Sequence, residues 1–102
     1  MALAAVTVAE ILVGVELASG RRKALRKAFV EDLLTVIPIE PYDLEVARAH
    51  AGLLAATRST GITRGAHDLI IAATALVRRR VVVTEDPAGF EGLPGIDVRS
   101  TL

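Results

Sequence analysis

The chain has 102 residues, enough for one small domain and too few for two. Hydrophobic residues make up 52%, mostly Ala, Val, Leu and Ile because aromatics are only 3%, so material for one core is ample. Twelve basic and twelve acidic side chains cancel, which leaves any polyanion to local patches or metal ions, and the lack of cysteine excludes disulfides and thiolate zinc sites and suits the cytoplasm.

The apolar start MALAAVTVAEILVGVELA has no basic leader, and Glu10 and Glu16 interrupt a run shorter than a bilayer requires. It therefore reads as neither a signal peptide nor a membrane span. Residues 2–6 (ALAAV) are expected as a short strand. Thr7-Val8-Ala9-Glu10 has the T-x-x-E form of a capping box, opening a helix over 8–18 that Ser19-Gly20 ends. Residues 21–34 suit a second helix, with Leu25, Ala28, Phe29 and Leu33 facing one side and a basic set, Arg22, Lys23, Arg26 and Lys27, facing elsewhere. The β-branched run TVIPI (35–39) is expected as a strand, placed at a sheet edge by Pro38.

Pro41 and Asp43 open a third helix to about Thr57, with Leu44, Ala47, Ala51 and Leu54 as its inner stripe, and Ser59-Thr60-Gly61 closes it. After the loop 62–65, GAHDLIIAATAL begins a helix to about Arg79 that is apolar on nearly every side and therefore buried. Val81-Val82-Val83-Thr84 reads as a strand covered on both faces. Residues 85–90 hold at most one helical turn, and 96–99 form a last short strand. Alternating strands and helices predict an α/β layer fold with a mostly parallel sheet, in which ligands bind beyond the carboxyl ends of strands.

Three acids stand at element ends. Glu10 and Asp68 lie near helix starts, and Asp86 follows the most apolar strand. Each has a structural reading: Glu10 can close the capping box, Asp68 can complement the helix dipole, and Asp86 can form a turn before Pro87. Taken together, gathered carboxylates repel and need a counter-charge. A hard cation such as Mg²⁺, which takes one or two carboxylates and keeps its waters, is the economical one. Such an ion supports phosphodiester cleavage. His67 is a candidate base or an ordinary helix-start residue, and His50 reads as a packed or surface histidine. The basic groups at 21–27 and 78–80 read as solvated faces, or as holds for RNA phosphates or an acidic partner.

The segments VTVAEILVGVELA (6–18), GAHDLIIAATAL (65–76) and VVVTEDPAGF (81–90) resemble the PIN-domain family, and within it the VapC-type toxins, with similarity over essentially the whole chain. The resemblance implies a single PIN-like domain over 1–102 with an α/β/α sandwich. It also implies a Mg²⁺- or Mn²⁺-dependent endoribonuclease acting on RNA, a cognate antitoxin, and a homodimer or toxin–antitoxin hetero-oligomer. Carried over residue by residue, Glu10, Asp68 and Asp86 match the family's metal-binding acids, and Thr84 matches the hydroxyl that supports them, beside Thr7 of the T-x-x-E pattern. Gly89 stands where many relatives carry another acid. Family members open with a central strand ending in an aspartate, whereas here Met1 lies almost on the T-x-x-E helix. The expectation is thus a sheet short of its first central strand and a site one carboxylate short. The alternative function is a catalytically impaired PIN remnant that binds an antitoxin or another partner. A small α/β domain whose acids only cap helices is a third reading.

Overall fold

The computed structural model describes residues 2–101, which fall into two compact units divided between Pro41 and Tyr42. In the first unit β1 (Leu3–Ala4) pairs in parallel with β2 (Ile39–Glu40), with Leu3 opposite Ile39 and Ala4 opposite Glu40. The expected strand over 2–6 shrinks to two residues because helix α1 (Ala5–Leu17) begins at once. Alanine is the best helix former, and this stretch is rich in it. The capping box is corrected by the same shift: Ala4 is the N-cap, no side chain caps the helix, and Thr7 lies inside it. Glu10 consequently stands in the second turn.

Helix α2 runs Gly20–Val36. Gly20 has φ of 58°, and nothing lies within 4 Å of where its Cβ would stand, so conformation rather than space is what the glycine provides at this turn. The expected inner face of α2 is also corrected. Val30 is buried, while Leu25 is 61% and Phe29 69% exposed. The more covered positions, Lys23, Val30, Leu33 and Leu34, follow an i, i+7, i+10, i+11 seam, the narrow line that one neighbouring helix covers. Leu25 and Phe29 instead line an open groove with Ile11 and Val15. The strand expected at 35–39 is cut to Ile39–Glu40 because the helix continues through Thr35 and Val36. Pro38 then stops it: Ile37, the residue before proline, is extended at φ −104°, ψ 123°.

In the second unit Asp43 caps α3 (Leu44–Thr60), its Oδ1 accepting from the Val46 amide at 3.0 Å, and Gly61 ends it at φ 72°. The expected stripe of α3 is rotated. Val46 and Leu53, seven residues apart, are buried, whereas Leu44 is 66% exposed and Ala51 is exposed; Leu54 alone of the expected four packs against the core. Alanine, small enough for either face, had blurred the pattern. Helix α4 (Ala66–Arg78) buries Leu69, Ala72, Ala73, Thr74 and Ala75, as its composition requires. The Thr74 hydroxyl is satisfied by donating to the Ile70 carbonyl at 2.8 Å.

Strand β3 (Val82–Thr84) pairs in parallel with β4 (Val98–Ser100), Val82 opposite Val98. Val82 is buried but Val83 is 63% exposed, so β3 is covered on one face only, and the expectation of a strand covered on both is corrected. Between them a 3₁₀ turn, Pro87–Phe90, buries Phe90 in the core cluster that also holds Leu69, Ala72 and Val82. Both ladders among the described residues are parallel, and the fold is α/β, helix-rich with short strands. No described helix is long and apolar enough to cross a membrane.

Candidate active site

Asp68 is the third residue of α4 and half-buried. Gly65 caps the helix with extended backbone and no side-chain bond. A Cβ on Gly65 would stand 3.2 Å from Asp68 Oδ2, and one on Gly89 would stand 3.1 Å from the same oxygen. The carboxylate oxygen therefore lies close to two glycines, one before α4 and one in the turn after β3.

Asp86 follows β3, beyond its carboxyl end, and is exposed. Its amide donates to Thr84 Oγ1 at 3.1 Å, which turns the chain immediately after the strand. Its Oδ2 lies 3.7 Å from where a Gly89 Cβ would project. Asp68 and Asp86 thus address one point above Gly89, a position with room only because no side chain is there. The φ of Gly89 is not among the positive ones, so space rather than conformation requires this glycine.

One contact of this turn was not legible in the sequence. Arg64, in the loop before α4, donates from Nη1 to the Gly89 carbonyl at 3.0 Å and from Nη2 to the Glu91 carbonyl. No local pattern announces a contact between residues 25 and 27 positions apart. Thr7 caps nothing, as described above, and Glu10 is an exposed residue of α1 in the first unit. His67 is exposed at the start of α4. His50 is packed: the Tyr42 hydroxyl and His50 Nδ1 are 2.8 Å apart, and the rings meet edge to face. Among the described residues no group of three or more Asp, Glu or His is gathered as a metal site, so Asp68 and Asp86 are the acidic pair at hand.

Arg78 departs from the solvated basic face expected of residues 78–80. Its Nη2 pairs with Asp43 Oδ2 at 2.6 Å. The Val46 amide, and after it the Arg78 guanidinium, hold the Asp43 carboxyl below the usual carboxylate range.

An α/β unit that sets two aspartates at the carboxyl end of a parallel strand defines the class, and the sequence comparison agrees. The chain matches the PIN domain family over residues 1–95 and belongs to it. It is 33% identical over 100 residues to a protein of Sinorhizobium fredii named VapC ribonuclease Y4jK, covering 94% of this chain and 71% of that one. The crystal structure of DNA-bound VapBC from Salmonella typhimurium is similar with a TM-score of 0.90 at 28% identity, over 98% of this chain and 74% of that chain. That of VapBC-5 from Mycobacterium tuberculosis, described as a member of the VapBC family of toxin–antitoxin systems, has a TM-score of 0.85 at 27% identity, over 98% and 81% of the two chains.

Proposed function

We propose that the chain is a ribonuclease toxin of the VapC kind, cutting RNA phosphodiesters in the cytoplasm with Mg²⁺ or Mn²⁺ and restrained by an antitoxin protein. The observation that carries this reading is the pair of carboxylates, Asp68 and Asp86, aimed at one side-chain-free point over Gly89. The pair fits a hard divalent cation, which needs oxygen donors, takes one or two carboxylates directly and keeps water in its other positions. A larger residue at 89 would fill that space. Bound there, the ion would act as a Lewis acid toward the phosphodiester and make an attacking water more acidic.

The residues of the chain then have distinct tasks. Half-buried Asp68, close against Gly65 and Gly89, serves as the inner ligand. Asp86, positioned by Thr84 through its amide, is open to solvent and serves as the second ligand on the exposed side. Glu10 is proposed as a third acid on the resemblance of its own segment. RNA as substrate rests on the name of the Sinorhizobium relative, and the antitoxin, with a homodimer or hetero-oligomer, rests on the VapBC neighbours.

The test is cleavage of RNA by the purified chain in Mg²⁺ or Mn²⁺, compared with EDTA and with Asp68→Asn. Cleavage that persists in both would overturn the mechanism. The alternative reading is a partner-binding module without cleavage. That reading expects antitoxin binding to survive with no metal-dependent nuclease activity.

A further inference from the structure

We infer that Arg64 is a positioning residue for the two aspartates: its guanidinium fork fixes the turn after β3 against the start of α4 and so sets the separation of Asp86 from Asp68. The inference rests on the metal-site reading proposed above. Arg64 lies four residues before Asp68, in the loop that leads into α4. Its two donors reach the carbonyls of Gly89 and Glu91, in the turn that follows Asp86.

The hydrogen bonds around the turn alternate. The Gly89 amide donates to the Asp86 carbonyl, the Glu91 amide to Ala88 and the Leu93 amide to Phe90. The Asp86, Ala88 and Phe90 carbonyls are thereby used locally, while those of Gly89 and Glu91 point to Arg64. A short 3₁₀ turn leaves its last carbonyls without internal partners, and a planar guanidinium can take two of them at once with little further ordering. Phe90, 5% exposed, anchors the same turn in the core. The turn is thus gripped by an apolar plug and by a polar fork. Gly89, at the fork, is also the wall against which Asp68 Oδ2 rests and toward which Asp86 Oδ2 points.

Lysine retains the charge of arginine but cannot present two coplanar donors, so Arg64→Lys separates geometry from electrostatics. Support of this kind around metal ligands typically changes affinity by about 10–100-fold. Two measurements test the role. In the metal-free chain, amide exchange at residues 89–92 should quicken in Arg64→Lys and Arg64→Ala, while the α4 amides keep their protection. Calorimetric titration with Mn²⁺ should show affinity about 10–100-fold weaker in both variants, and added guanidinium ion should recover part of it in Arg64→Ala.

Wild-type exchange and Mn²⁺ affinity in Arg64→Lys would overturn the inference, because charge alone would then suffice. Loss of α4 protection in Arg64→Lys would overturn it as well, by making the role one of general stability. A wild-type chain that neither binds Mn²⁺ nor cleaves RNA would defeat the functional reading instead. The exchange comparison would still report whether Arg64 holds the turn.

Discussion

Arg78 and Asp43 join the last turn of α4 to the cap of α3: Arg78 Nη2 lies 2.6 Å from Asp43 Oδ2, while Asp43 Oδ1 accepts from the Val46 amide. One carboxylate thus caps its own helix and pairs with a guanidinium 35 positions further along the chain. Asp43→Asn keeps an N-cap acceptor and loses the ion pair, whereas Asp43→Ala loses both. The thermal midpoint should fall in the order wild type, Asn, Ala, and Arg78→Ala should resemble Asn. Equal midpoints for Asn and Ala would mean that the cap contributes nothing.

The same pair predicts a pH dependence. The folded carboxyl of Asp43 is held below its ordinary value of 3.8, so its contribution to stability is fully present above that value and is lost as pH falls through the lowered folded one. The difference in melting temperature between wild type and Asp43→Asn should be constant from neutral pH down to about 4 and shrink below it. A difference that instead grew on acidification would reverse the assigned sign.

Gly89→Ala places a methyl group 3.1 Å from Asp68 Oδ2, closer than such carbons normally approach. Asp68 must give way, and a shift of a few tenths of an ångström should weaken Mn²⁺ binding and RNA cleavage roughly tenfold. Stability should change little, since the φ of this glycine does not demand a missing side chain. Titration and melting of the single variant check both halves.

Asp68→Asn and Asp86→Asn should each lower metal-dependent cleavage on the order of a hundredfold, with the double variant little worse than either alone, because the two act as one unit. Fully multiplicative losses in a kinetic comparison of the three would show that they act independently. Glu10→Gln in the same assay tests the third acid separately.

The rotated face of α3 can be checked by stability alone. Leu53→Ala, at a buried position, should cost about 2–5 kcal/mol in urea unfolding, and Leu44→Ala, at an exposed one, within about 0.5 kcal/mol. A reversed order would restore the stripe expected from the sequence.

What the sequence by itself determined was local. Asp43 three residues before Val46, Gly61 after Thr60 and the apolar run after Asp68 marked where α3 and α4 start or stop, because capping and turn chemistry act within a few residues. Asp68 at a helix start and Asp86 past a strand were legible for the same reason, as was the family resemblance carried by 65–76 and 81–90. Tertiary structure decided the rest. It let α2 run on to Val36, turned Val46 rather than Leu44 inward, and left Val83 uncovered. It also brought Gly89 between two aspartates and Arg64 onto the turn beyond them. Burial and close approach depend on which neighbour lies opposite, and that neighbour stands far away in the chain.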